Sequence, residues 1–273
     1  MKRNLPETDR LLDLIRDGRP MTLRQQLRLT IELSVPAIIA QLSSIIMQYI
    51  DAAMVGRVGA EASASIGLVS TTTWLFWGLC TAAATGFSVQ VAHRIGAGDL
   101  KGARMILQQS LAGTLTFSLL LAILGAGISS SLPAWLGGDV SIRRDASVYF
   151  FIFSIFLPVL QMIFLAGGML RCSGNMRIPS LLGVIMCVLD VVFNYLFIFI
   201  LGYGAVGAAL GTVTAIAITM CCMMYALVAR DRNLRFSLDM RQRFKPHWDT
   251  LSNVLRIGTP ISLEKGVMSG AQV

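Results

Sequence analysis

The sequence predicts an all-α, polytopic membrane protein: a six-helix bundle followed by the first helix of a second, pseudo-twofold-related bundle. Three observations carry this expectation. The 273 residues are 55% hydrophobic and 14% charged, against ~25% charged in an ordinary soluble domain, and the mean hydropathy is +0.67. The apolar residues gather into six long segments, at about 29–54, 66–92, 104–131, 146–170, 178–201 and 204–229, each long enough for the ~20 residues that cross a bilayer. Residues 253–265 (NVLRIGTPISLEK) echo residues 29–41 (LTIELSVPAIIAQ), with Pro260 standing where Pro36 stood. Such a composition excludes a water-soluble enzyme, a disordered chain and a disulfide scaffold.

Residues 1–28 are polar and basic, with Leu11, Leu12, Leu14 and Ile15 marking a short amphipathic surface helix before Gly18-Arg19-Pro20. No early apolar core makes this stretch a signal peptide. The six-helix bundle is expected over residues 29–229. Residues 230–249 form a basic linker, and residues 250–273 open a seventh helix that the chain leaves unfinished at Val273. The repeat of about 224 residues is what predicts a second bundle, and it makes the chain look truncated. Five cysteines (Cys80, Cys172, Cys187, Cys221, Cys222) lack metal-ligand spacing and are expected to be small packing residues.

Charge sets the expected orientation. With the N-terminus inside, the inner segments 1–28, 93–104, 171–177 and 230–256 hold seven, three, two and seven Lys and Arg, 19 in all. The outer loops hold three: Arg57, Arg143 and Arg144. This is the positive-inside pattern of a cytoplasmic N-terminus. The formal net charge of +8 therefore reports membrane topology rather than nucleic-acid binding.

An acid inside a membrane needs a reason, since insertion scales charge it ~2.5–3.5 kcal/mol at the helix centre. Glu32 is expected in the first turn of its helix, where a carboxylate suits the dipole. Asp51 falls on one helical stripe with Gln41, Ser44 and Gln48, about 80° wide at 100° per residue. Lipid would penalise that stripe, so it should line a cavity or face other helices. Asp190 and Asn194 are four residues apart and share one face of the fifth segment. Asp51 and Asp190 lie at comparable depth. Two carboxyl groups in one cavity can take up a proton or hold Na⁺, and either event would couple an ion gradient to a conformational change. Other features are plainer. Gly207-x-x-x-Gly211 allows close helix approach, and Thr212 offers a hydroxyl to the cavity. Pro36 removes a helical hydrogen bond and serves as a kink or a hinge. Trp74 and Trp77 suit either a cavity or the interface. No metal site and no cofactor are expected.

Four motifs resemble those of the multidrug and toxic compound extrusion (MATE) family: Tyr49-Ile-Asp51-Ala-Ala-Met-Val-Gly56-Arg57-Val-Gly59, Ile95-Gly-Ala-Gly98-Asp99, Leu170-Arg-Cys-Ser-Gly174-Asn-Met-Arg177-Ile-Pro179, and Tyr203-Gly-Ala-Val-Gly207-Ala-Ala-Leu-Gly-Thr212. The resemblance implies two six-helix bundles and a rocker-switch antiporter in a bacterial plasma membrane, exporting drugs or toxic organic compounds against H⁺ or Na⁺. It implies a cation-binding role for Asp51, with Asp190, Asn194 and Thr212 beside it, and bending of the first helix at Pro36. Small organic, cationic substrates and membrane lipids are the implied partners, and the full-length protein would act as a monomer. Many members place Asn-x-x-x-Asp on the fifth helix; here the order is Asp190-x-x-x-Asn194. Glu264 corresponds only loosely to a seventh-helix acid of the family.

Three other readings compete. A lipid-linked sugar flippase shares the architecture but tends to carry basic residues in its cavity, and this chain offers almost none within the spans before Lys265. A seven-helix photoreceptor would use Lys265, but its topology conflicts with an inside N-terminus. A non-transporting membrane fragment is the third.

Overall fold

The computed structural model describes residues 20–231 together with Leu11, Leu14 and Leu234. The expected amphipathic helix falls largely outside the described residues, although Leu11 and Leu14 are helical. The linker beyond residue 231, the seventh segment, Pro260, Glu264 and Lys265 also lie outside them. No strand occurs among the described residues.

The elements in order are α1 (Leu23–Val58), α2 (Ala60–Gly96), α3 (Leu100–Ile128), the single turn α4 (Leu132–Trp135), α5 (Val140–Ile155), α6 (Leu157–Cys172), α7 (Arg177–Tyr195) and α8 (Gly204–Tyr225). A five-residue π-helical segment extends α7 through Leu196–Ile200, and another extends α8 through Ala226–Arg230. Five of these helices are long and apolar enough to cross a membrane, and the bent pair α5–α6 makes a sixth span. This is a multi-pass, all-helical membrane protein.

Local chemistry explains where the helices begin and end. Thr22 and Gln25 form a reciprocal capping box at the start of α1, with Gln25 N–H donating to Thr22 Oγ1 at 3.4 Å and Thr22 N–H to Gln25 Oε1 at 3.0 Å. α1 therefore begins a turn and a half before the apolar run. Glu32 consequently sits well past the first turn, correcting the dipole expectation; it pairs with Arg28 at 3.1 Å, one turn back. Gly98 takes φ 75° to turn the chain between α2 and α3. The next residue, Asp99, caps α3 by accepting from Gly102 N–H at 2.8 Å and pairs with Arg94 at 3.1 Å. Gly174 (φ 92°) makes the corresponding turn after α6, and Asn175 Oδ1 caps α7 through Ile178 N–H. The second and third motifs are thus turn-and-cap devices at one end of the bundle.

Pro36 and Pro158 behave differently. α1 runs continuously through Pro36. The fourth span, expected as one helix over 146–170, is instead broken at Phe156, and its halves meet at 47°. Pro158, which has no N–H to donate, occupies the first turn of the new helix.

Spans two, three and four form the scaffold. One buried cluster joins Phe87, Val91, Leu107, Leu165, Met169 and Leu227, among others. A second joins Val69, Phe76, Phe150, Leu157, Leu160 and Ile216. Trp77 meets Phe164 edge-on, with centroids 5.2 Å apart, whereas Trp74 is half exposed. Lipid tails are as apolar as these side chains, so close packing rather than exclusion of water holds them. Cys80 and Cys187 are buried as expected, but Cys221 and Cys222 are exposed on α8, so packing is not their role within the described residues.

Candidate functional site between spans one, five and six

Asp51 lies on α1, seven residues before its end. α1 packs along α7, with Ala40 Cβ 3.7 Å from the position a Cβ on Gly183 would take. Above this contact a small cluster of Val55, Ala62, Ile198, Ala205 and Ala208 ties the ends of α1, α2 and α8 together. The packing brings Asp51 to the 190/194 face of α7. Asn194 Nδ2 donates to Asp51 Oδ1 at 2.9 Å and to Asp190 Oδ2 at 3.0 Å. A single carboxamide thereby bridges two acids 139 positions apart in sequence. The two carboxyl groups lie close enough to interact electrostatically, and Thr212 of α8 lies beside Asp190.

Asp190 and Asn194 are each only 1% exposed, while Asp51 is half-buried. Asp190 Oδ1 and Asn194 Oδ1 find no hydrogen-bond partner among the described residues. Buried oxygens are seldom left so. The site therefore presents a carboxylate oxygen and a carboxamide oxygen beside a second carboxyl group and a hydroxyl. That is an all-oxygen set suited to a proton or a hard monovalent cation, and unsuited to a soft metal. Among the described residues no three His, Cys, Asp or Glu side chains are grouped as metal ligands.

Two glycines let α8 approach. A Cβ on Gly211 would collide with the Asn194 carboxamide and come within 2.8 Å of its backbone nitrogen. A Cβ on Gly207 would lie 2.8 Å from the Phe197 carbonyl oxygen. The Gly-x-x-x-Gly pair thus does more than pack helices, because Gly211 seats the side chain that bridges the acids. The π segment Leu196–Ile200 begins two residues beyond Asn194; π-helical turns of this kind often mark functional sites.

Of the stripe expected on α1, only Asp51 joins the cluster. Gln41 and Gln48 are exposed and Ser44 is half-buried, and no hydrogen bond among the described residues connects them to Asp51, Asp190 or Asn194. One site residue was not anticipated. Tyr149, on α5, lies within electrostatic reach of both Asp51 and Asp190. Its only sequence signal is a hydroxyl-bearing aromatic within the fourth apolar segment.

A family profile described as MatE matches residues 36–196, which contain Asp51, Tyr149, Asp190 and Asn194. The chain belongs to the MatE family. The probable multidrug resistance protein NorM of Idiomarina loihiensis is 30% identical over 254 residues, covering 85% of this chain and 51% of the relative. A multidrug resistance MATE family transporter of the MOP superfamily solved in an outward-facing conformation is 27% identical at a TM-score of 0.82, covering 89% of this chain and 53% of that one. Its inward-facing counterpart is 27% identical at a TM-score of 0.76, covering 82% and 51%. The chain spans about half the length of the curated relatives it matches. Relatives in this set are named as probable multidrug resistance proteins.

Proposed function

We propose that the chain carries the cation-coupling bundle of an antiporter that exports drugs or toxic organic compounds against an inward H⁺ or Na⁺ gradient. The observation that carries this reading is the bridge from Asp51 through Asn194 to Asp190 at the junction of three spans. Asn194 uses both amide hydrogens on the two acids, which leaves its oxygen and Asp190 Oδ1 for an incoming cation. A proton or Na⁺ in that position screens the two carboxyl groups from each other and draws α1 toward α7. Its departure restores their repulsion and loosens α1, the wall of the site that the bundle grips least. Pro36 gives that wall a place to bend, and Gln41, Ser44 and Gln48 are the polar lining it offers a substrate. Gln41 and Gln48 are exposed, which suits this role.

Alternating access by a rocker switch agrees with structural relatives captured facing outward and inward. The 19-to-3 division of basic residues supports a cytoplasmic N-terminus in a bacterial plasma membrane. Under this reading residues 29–229 form one bundle, residues 230–249 link it to a second, and the whole protein works as a monomer on organic cations, with no cofactor beyond the coupling ion.

The test is ethidium efflux from proteoliposomes holding the intact natural protein, under imposed H⁺ or Na⁺ gradients. Efflux should follow one of the two gradients. Asp51→Asn should reduce gradient-driven efflux to background while leaving expression normal. Unchanged efflux in that variant would remove Asp51 from the mechanism.

A further inference from the structure

Away from the acidic cluster, one polar side chain in the scaffold is unexplained. Gln161 lies on α6, one turn past the break in the fourth span, and has no exposed surface. Neither its Oε1 nor its Nε2 has a hydrogen-bond partner among the described residues. A carboxamide offers two donors and an acceptor with two lone pairs. Leaving all of them unused in an apolar interior is strongly unfavourable, and native proteins satisfy such groups with buried water when no protein group is in reach.

The surroundings say where that water would sit. α2 and α6 cross the bundle in the same direction. They touch where a Cβ on Gly168 would come within 2.5 Å of Ser88 Oγ. Seven residues, or two turns, back along each helix brings Gln161 level with Thr81. Side chains on a helix lean toward its N-terminus, so the carboxamide leans from its backbone toward the break at Phe156. Thr81 Oγ1 donates to the Trp77 carbonyl at 2.9 Å and keeps lone pairs free to accept. Thr81 is only partly buried, which gives water a way in. On the third side stands α3, whose Ser118 is fully buried with its hydroxyl donated to the Leu115 carbonyl at 3.0 Å.

We propose that Gln161 forms a small internal hydration site between the second and fourth spans, in which ordered water bridges its carboxamide to the Thr81 hydroxyl beside the break in the fourth span. The ligand is water, a neutral partner that both donates and accepts. Among the described residues no charged group is found on the adjoining faces at this level, which argues against an ion.

The experiment is a structure of the purified intact protein in lipid nanodiscs, at a resolution that shows ordered water, for the wild type, Gln161→Leu and Thr81→Val, with melting temperatures for all three. The expected result is non-protein density within hydrogen-bonding reach of Gln161 in the wild type. That density should vanish in Gln161→Leu and weaken in Thr81→Val, and the Leu variant should melt at or above the wild-type temperature. Gln161 bonded directly to a protein group, or no density beside it, would overturn the proposal. So would a marked drop in melting temperature, or failure to fold, in Gln161→Leu, because either would mean that a protein partner had been lost.

Discussion

Spans two, three and four, joined by buried residues of span six, differ from spans one and five in what holds them. The former interlock through large, fully buried apolar side chains such as Phe150, Leu157, Leu165 and Met169. The latter meet over a polar knot, and α1 contributes only Leu29, Met47 and Val55 to the buried interior along 36 residues. Most of its long apolar side chains, from Leu23 to Tyr49, remain exposed within the described structure. One half of the bundle is a scaffold whose packing resists change. The other has a wall whose position depends on hydrogen bonds to ionisable groups, and such bonds change strength whenever a cation arrives or leaves.

The sharpest way to separate the two regions is to damage each and read stability and cation dependence together. Leu165→Ala, in the scaffold, should cost about 2–5 kcal/mol of stability through lost contacts and a residual cavity. Its melting temperature should fall, yet the cation concentration giving half-maximal efflux should stay unchanged in the protein that remains folded. A changed cation dependence would mean that the scaffold is not separate from the site.

Gly211→Ala should cost less, about 1–3 kcal/mol from overpacking, but it should act on the site. The added methyl collides with the Asn194 carboxamide, so the bridge between Asp51 and Asp190 must shift. Weaker cation dependence of efflux, beyond what the stability loss explains, is the expected outcome. A purely thermal defect would reduce Gly211 to a packing residue.

Much of this contrast was legible in the sequence, and the reasons it stopped short are physical. Apolar runs located all six spans, although the first, second and fourth begin about six residues earlier than their runs. The spacing of Asp190 and Asn194 placed both on one face, since four residues slightly exceed one helical turn. Periodicity describes one helix at a time, however. It grouped Asp51 with Gln41, Ser44 and Gln48 on a shared stripe but could not say that Asp51 alone would meet the Asp190 and Asn194 side chains. Tyr149 escaped for the same reason, because its approach to the acids depends on how α5 packs. The break at Phe156 was missed because membrane helices tolerate proline, as α1 does at Pro36. Capping moved Glu32 out of the first turn, since Thr22 starts α1 earlier than hydropathy suggests.

The smallest effect is expected far from both regions. Asp139 caps α5, accepting from Ser141 N–H at 3.0 Å, and this bond holds its carboxyl below the usual range. A depressed folded-state pKa stabilises the fold above the unfolded-state value, and that contribution is lost as pH falls through the folded-state value. Asn caps a helix about as well as Asp but does not titrate. Melting curves of Asp139→Asn should therefore match the wild type near neutrality or fall slightly below it, with a marginally shallower decline in acid. A large difference at any pH would show that the cap at Asp139 matters more than the exposure of that residue indicates.

Under the proposed function, Asp51 and Asp190 take up the coupling cation as a unit through Asn194. Difference infrared spectroscopy of the purified protein, stepping from alkaline to acid pH with and without Na⁺, reads carboxyl protonation directly. The account predicts a protonated-carboxyl band in the wild type that is altered or lost in both Asp51→Asn and Asp190→Asn, and that Na⁺ suppresses if Na⁺ is the coupling ion. The same band, with the same pH dependence, in the wild type and both variants would contradict it.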